Sequence, residues 1–234
     1  MPTPETPTPP AAEDTERASA RAMAWLHGAR FVTTASRLDQ LPMHEGPELA
    51  FVGRSNAGKS TAINTLAQRR RLAFASRTPG RTQHINLFAV GPRDAPDALL
   101  ADLPGYGYAA VERAAKLRWQ TVMATYLTDR RSLSGVVLMA DARMGLTELD
   151  LKLLRLIAPR TANGEVRVLV LLTKADKLNR QEGQTVLAQA GAALAEMSTA
   201  ESDIAVSLFS ALSKQGVEDA ACCLYEWTHP TATA

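Results

Sequence analysis

The spacing Gly53-x-x-x-x-Gly58-Lys59-Ser60, inside the stretch FVGRSNAGKST from Phe51 to Thr61, is where this sequence most plainly carries chemistry. Apolar Phe51 and Val52 run into it and a helical pattern from Ala62 to Arg70 follows, so the order is strand, loop, helix. Successive backbone N–H groups in such a loop, with a helix N-terminus behind them, form a cage for phosphate oxygens. In this pattern Lys59 reaches the outer phosphates and the Ser60 hydroxyl ligates Mg²⁺. Arg54, Ser55, Asn56, Ala57 and Thr61 complete the candidate phosphate site. The ligand is a nucleoside di- or triphosphate, with its base still to be read elsewhere.

Ligands of open α/β sheets sit beyond the carboxyl ends of strands, so the residues just past each apolar run come next. The run Ala98 to Asp102 leads into DLPGYGYA. There Asp102 is placed to hold a water on Mg²⁺ and, after Leu103 and Pro104, the Gly105 N–H can meet a γ-phosphate. A plain Pro-Gly turn would account for this string taken alone. The run Val166 to Thr173 leads into LLTKADK. The Asp176 carboxylate can accept two parallel hydrogen bonds from the N1–H and 2-amino group of guanine, a donor pair that adenine lacks. Between Thr173 and Ala175, Lys174 can lay its methylene stem along the base. The run Ile204 to Ser210 ends in FSALSKQG, where Phe209, Ser210 and the Ala211 N–H can close over the purine, the N–H donating to guanine O6. Each string is weak by itself; four at four strand ends, in this order, read as a guanine-nucleotide site.

The elements that must position these residues alternate along the chain. Strands are expected at Glu48 to Val52, His84 to Val90, Ala98 to Asp102, Gly135 to Ala140, Val166 to Thr173 and Ile204 to Ser210. Helices are expected at Ser60 to Arg70, Val111 to Thr128, Thr147 to Ala158, Arg180 to Met197 and Val217 to Trp227, after a short amphipathic segment from Ala18 to His27. Uninterrupted apolar runs such as VVLMA and VLVLL suit a sheet covered on both faces. The short GPRDAP link can join only antiparallel neighbours, because a parallel crossover needs a dozen residues or more. The expected fold class is therefore α/β, a mostly parallel six-stranded sheet with one antiparallel edge strand, in a single domain over residues 18–230. Residues 1–17, Pro/Thr-rich and acidic, have nothing large and apolar to bury and read as a disordered extension.

Other features bound the function. The acidic start is not a targeting signal and no run of about 18 apolar residues occurs, so no membrane span is expected. Cys222 and Cys223, the only cysteines, are adjacent and suit neither a structural disulfide nor a chelating pair, which fits a reducing cytoplasmic setting. Four scattered histidines give no metal-ligand spacing. Net charge is +2 yet unevenly spread: from Arg54 to Arg131 there are 13 Lys/Arg against 5 Asp/Glu, so one region is basic and the remainder acidic.

With these residues in view, the sequence resembles the TrmE–Era type of translation-factor-class GTPases and, within it, the EngB (YihA/YsxC) family of ribosome-biogenesis GTP-binding proteins. The match rests on GRSNAGKST, TPGRTQHINLF, DLPGYGYA, LTKADK and FSALSKQG, with Tyr106-Gly107-Tyr108 and Thr173, where most GTPases carry Asn, pointing to this family. The resemblance implies a three-layer P-loop GTPase G domain, a monomer, that binds GTP or GDP with Mg²⁺. It implies that residues 76–83 form the first switch, with Gly80, Arg81 and Thr82 at the nucleotide and Thr82 joining Ser60 as a metal ligand. Lys59, Thr82 and Gly105 are then the residues expected at the reacting phosphate. It further implies cytosolic action in assembly of the large ribosomal subunit, whose rRNA and proteins would be the partners.

Two positions keep alternatives open. Tyr106 stands where fast GTPases carry a water-orienting glutamine, so intrinsic hydrolysis is expected to be slow; the phenol either packs under the switch or acts directly. Asn56 is similar to the asparagine that in potassium-activated relatives helps hold K⁺ beside the phosphates; it either does so here or braces the loop. A nucleotide-regulated scaffold with negligible turnover is the nearest rival function. A P-loop small-molecule kinase is further off, since no arginine-rich lid insertion is recognisable. Within the basic region, Arg77 and Arg81 fall in the first switch and Arg113, Lys116 and Arg118 follow the second, so a nucleotide-dependent rRNA-binding face is expected there, whereas Arg69, Arg70 and Arg71 read equally well as a solvated helix end.

Overall fold

The computed structural model describes residues 12–73, 84–107 and 113–230. Helix α1 (Ala12–His27) leads into strand β1 (Arg30–Ala35), and after a short 3₁₀ turn β2 (Glu48–Gly53) enters the phosphate loop and α2 (Lys59–Leu66). Strands β3 (Ile85–Val90) and β4 (Ala98–Asp102) form a hairpin, followed by α3 (Arg113–Asp129), β5 (Leu133–Asp141) and α4 (Glu148–Ala162). Then come β6 (Arg167–Thr173), α5 (Arg180–Ala195), β7 (Ile204–Leu208) and α6 (Val217–Thr228). The sheet order is β1-β3-β4-β2-β5-β6-β7. All neighbouring pairs are parallel except the two made by β3, which runs against both β1 and β4.

Apolar side chains of the central strands alternate between two cores, so each strand must be covered on both faces. One core joins the sheet to α3, α4 and α5 through Tyr126, Ile157 and Ala190. The other joins it to α1, α2 and α6 through Leu26, Ile63 and Leu224. The result is three layers with every strand-to-helix turn of the central strands at one end of the sheet. At the opposite end Glu48, fully buried, receives the Tyr126 hydroxyl, the Arg130 guanidinium at 2.9 Å and the Ser132 hydroxyl at 3.1 Å, which fixes where β2 begins. Such a buried carboxylate is tolerable only because it is paired and hydrogen-bonded on both oxygens.

Seven strands stand where six were expected. The additional strand, β1, has no apolar run to announce it: Phe31 and Val32 are exposed, and the register slips between Phe31 and Thr33 as at a β-bulge. An edge strand is held by backbone pairing on one side, here to β3, and needs little burial of its own. The segment 12–17 is likewise helical rather than disordered. Glu13 and Asp14 occupy the first turn of α1, where negative charge favours a helix. Ala22, Trp25 and Leu26 form the buried stripe that docks this helix. The Trp25 ring meets Tyr225 of α6 edge-on at 5.7 Å, and its indole N–H donates to Asp97 Oδ1 in the β3–β4 turn at 2.7 Å. Residues 1–11 lie outside the described residues. Cys222 and Cys223 are both free thiols on α6, and no described helix is long and apolar enough to cross a membrane.

Candidate functional site

At the end of β2 the chain cannot continue as a strand and is turned back by two left-handed residues, Asn56 (φ +65°) and Gly58 (φ +96°). Asn and Gly are the residues that accept this conformation at low cost. Gly58 then caps α2, whose first turn holds Lys59, Ser60 and Thr61. The loop is braced from two sides. On the β4 side, the Ser55 N–H donates to Tyr106 O at 2.9 Å and the Tyr106 N–H to Gly53 O at 3.2 Å, with Leu103 N–H bonded to Phe51 O at 3.1 Å. This close approach explains Gly105: a Cβ there would lie 3.0 Å from the Ser55 backbone. On the β6 side, the Thr173 hydroxyl donates to Ala57 O at 2.7 Å and Lys174 Nζ to Asn56 O at 2.9 Å.

Lys59 is buried, and its Nζ lies 3.2 Å from Asp102 Oδ1. The angle makes this an ion pair rather than a hydrogen bond, and Asp102 Oδ1 is left buried without a donor. The Ser60 hydroxyl donates weakly to the other oxygen, Asp102 Oδ2, at 3.3 Å. A hydroxyl and an under-coordinated carboxylate at the mouth of a phosphate loop are the hard oxygen set that Mg²⁺ takes, with phosphates and waters filling the rest of its octahedron. Ser60 and Asp102 therefore fit the ion, which when bound would neutralise charge on the outer phosphates. Among the described residues no cluster of three or more His, Cys, Asp or Glu offers an all-protein metal cage.

At the base end, β6 and β7 bring Asp176 and Ser210 together. Ser210, fully buried, donates its hydroxyl to Asp176 Oδ1 at 2.6 Å while accepting from the Leu212 and Ser213 N–H groups at 3.2 and 3.1 Å. The Ser210 hydrogen bond, reinforced by Lys177, holds the Asp176 carboxyl below the usual range and so ionised. Its remaining lone pairs suit a paired donor such as the guanine edge. Phe209 is buried beneath the loop, and its carbonyl takes the Ala175 N–H at 3.2 Å, joining the two base-end segments.

The expected phosphate and base residues are thus gathered at one end of the sheet. Gly80, Arg81 and Thr82 lie outside the described residues. Four further side chains belong to the same surface and were missed in the sequence. Asp141, the last residue of β5, pairs with Lys174 Nζ at 2.8 Å and with Arg143 at 2.7 Å. Burial raises its pKa, but the hydrogen bonds from Arg143 and Lys174 outweigh that and hold the carboxyl well below the usual carboxylate range. Asp150 and Thr147 begin α4 as a capping box: the Thr147 N–H and hydroxyl reach Asp150 Oδ2 at 2.8 and 2.6 Å. The other Asp150 oxygen accepts the Tyr106 hydroxyl at 2.5 Å. Burial, and then the Asp150 charge, push the Tyr106 phenol far above its ordinary pKa, so it stays a donor. Asp141, Arg143, Thr147 and Asp150 line a cavity of about 230 Å³ beside the loop. A signal was available: Asp141 is the charged residue that ends the apolar run VVLMA, a fifth strand end beside the four already read.

Comparison with known proteins agrees with this geometry. The sequence model of the 50S ribosome-binding GTPase family matches residues 48–174, from β2 to Lys174. The chain is 58% identical over 212 residues to the probable GTP-binding protein EngB of Acidovorax ebreus, covering 89% of this chain and 92% of that one. The chain belongs to the EngB family. The EngB protein of a Polaromonas species is also similar, at 54% identity over 222 residues, covering 95% of this chain and 87% of its own. The fold is shared with the crystal structure of a probable GTP-binding protein engB, at a TM-score of 0.57 and 19% identity, covering 79% of this chain and all of that one. As an EngB-family protein the chain is a GTP-binding protein of the GTPase class, which binds GTP or GDP, typically with Mg²⁺.

Proposed function

We propose that this protein is a cytosolic, monomeric GTP-dependent switch acting in assembly of the large ribosomal subunit, with slow hydrolysis on its own. The observation that carries the slow rate is the position of Tyr106. Its backbone is zipped to the phosphate loop through Ser55 and Gly53, and its hydroxyl is bonded to Asp150. A side chain held there is not free to orient an attacking water, the task that a glutamine performs in faster GTPases. Structural packing is thus the better supported of the two readings of Tyr106. The ribosomal partner is supported by the description of the matching family as 50S ribosome-binding. Ser60 and Asp102 would hold Mg²⁺, Lys59 would exchange its ion pair with Asp102 for the outer phosphates, and Asp176 would select guanine.

Potassium is the proposed activator. The Asn56 side chain is exposed and makes no hydrogen bond among the described residues, while its backbone carbonyl is the acceptor for Lys174. The brace therefore runs through the backbone, and the carboxamide is left to coordinate a monovalent cation beside the phosphates, where it would offset transition-state charge.

Multiple-turnover phosphate release, with and without purified large subunits and in KCl or NaCl at equal ionic strength, tests this reading. Slow basal turnover, stimulation by the particle, and a KCl advantage that disappears in Asn56→Ala are expected. Turnover that no particle stimulates, with equal pelleting in the GTP-analogue and GDP states, would favour the scaffold instead.

A further inference from the structure

Basic side chains from four separate segments meet on one face of the molecule, and the sequence does not bring them together. The turn after α2 carries Arg69, Arg70 and Arg71, all exposed. It is held in place: the Asn64 carboxamide bonds both Ala73 O and Ala73 N–H at 2.8 Å, and the Arg69 N–H donates to Asn64 O at 2.9 Å. Arg69 lines two adjoining hollows. One, of about 410 Å³, is shared with Arg30 at the start of β1 and Arg93 in the β3–β4 turn. The other, of about 660 Å³, runs between α1, α2 and the start of α6 and is shared with Arg70 and Lys214. Arg30 is fixed by donating to the carbonyls of Gly91, Pro92 and Arg93, at 3.5, 3.2 and 2.7 Å. Among the described residues none of Arg30, Arg69, Arg70, Arg71, Arg93 and Lys214 has a carboxylate within ion-pair distance, and Glu218 is the one acidic residue lining either hollow.

A row of unpaired guanidinium groups spread over two hollows suits a string of phosphates better than one small anion. Next to Arg30 the Phe31 ring is 56% exposed and rests edge-on against buried Phe88, on the same face as α1 and α2. An aromatic surface beside a basic groove is what stacks an unpaired base. The β3–β4 turn lies at the end of β4 opposite Asp102, and Arg69 shares its first hollow with that turn, while the second hollow reaches back to Thr61.

We propose that this face, centred on Arg69 with Arg30, Arg70 and Arg93 and flanked by Phe31, binds RNA, and that it is the face applied to large-subunit rRNA. The second clause rests on the ribosomal reading above. Because Arg30, Arg69 and Arg93 share the hollow at the β3–β4 turn rather than at the phosphate loop, the contact with RNA alone is independent of nucleotide. It also differs from the arginines read in the sequence: Arg77 and Arg81 lie outside the described residues, as do the side chains of Arg113, Lys116 and Arg118.

The test uses the full chain and the triple variant Arg69→Glu, Arg70→Glu, Arg93→Glu, three exposed residues outside the nucleotide site. Fluorescence anisotropy measures binding of a labelled RNA stem-loop over a salt series, with GTP-analogue affinity measured alongside. The variant should bind the stem-loop at least about tenfold more weakly, with a log-log salt slope shallower by about 2 to 3, while GTP-analogue affinity is kept. Phe31→Ala should weaken binding of a single-stranded RNA by about fivefold or more without changing that slope. A parent that ignores the stem-loop, a variant that binds it normally, or a parent that prefers anionic lipid vesicles would each overturn the RNA face. Pelleting with large subunits separates the two claims. A variant that loses the stem-loop but pellets normally overturns the docking role of this face and leaves the ribosomal reading intact. A parent that never pellets sinks the ribosomal reading, and the stem-loop alone then decides whether the face binds RNA.

Discussion

Asp176 and Tyr106 show how differently two side chains of one site can be legible. Asp176 is proposed as the base reader on its chemistry: a carboxylate offers two acceptors, and guanine alone among the purines of common nucleotides offers two matching donors. Asp176→Asn should therefore lose GTP by more than about tenfold and gain xanthosine triphosphate, whose 2-oxo group accepts the new amide N–H; competition binding with the two nucleotides checks it. Ser210 should be needed for the same discrimination, since it fixes one Asp176 oxygen. Tyr106 carried two readings because a phenol can pack or donate. Its hydrogen bond to buried Asp150 supports packing. Tyr106→Phe keeps the ring and removes the hydroxyl from a buried charged acceptor, at a cost of about 1.5 to 3 kcal/mol. The variant should melt several degrees lower while keeping its affinity for GTP, as followed by thermal denaturation with and without nucleotide.

Among the elements, the central strands and the helices after them follow from pattern alone, whereas α1 does so only from Ala18 onward and β1 not at all. An apolar run has one way to escape water, and VVLMA or VLVLL leaves little choice. The residues of α1 are mostly good helix formers, but an isolated helix of 16 residues is marginal in water, so docking must add to propensity. Trp25 carries that docking: it is buried against α6, edge-on to Tyr225 and His229, and tied to Asp97. Trp25→Ala should cost about 3 to 5 kcal/mol. Because α1 touches α2 and α6 but contributes nothing to the nucleotide site, the loss should be seen in denaturant unfolding while GTP affinity persists under native conditions. A proportionate loss of GTP affinity would mean instead that α1 helps to shape the phosphate loop. Strand β1 is a different failure of legibility, an edge with an exposed face and a bulge at Val32, where the alternation that marks a half-buried strand is broken.

At the scale of the whole molecule, charge is arranged so that acidic and basic groups meet at the sheet's carboxyl end. Asp141 links β5 to Lys174, just past the end of β6, and to Arg143. Its folded pKa is depressed, so the folded state binds fewer protons than the unfolded chain in the acid range. The stability it contributes is full above the ordinary carboxyl value of 3.8 and is lost as pH falls below that toward the folded value. Asp141→Asn should accordingly be less stable than the parent at neutral pH, with the gap closing as the pH drops through this window in matched denaturation curves. The sequence by itself determined the layered α/β class and singled out the phosphate loop, Asp102 and Asp176, because each depends on spacing within a short segment or on a local apolar period. The tertiary structure alone decided the rest. It showed that Thr173 and Lys174 brace the phosphate loop, that Tyr106 is held by Asp150, that a seventh strand closes the edge, and that Arg30, Arg69 and Arg93 share one hollow. These partners lie from 24 to 118 residues apart in the chain. No local period records such a separation; only the packing of the two helix layers onto a twisted sheet brings the groups together.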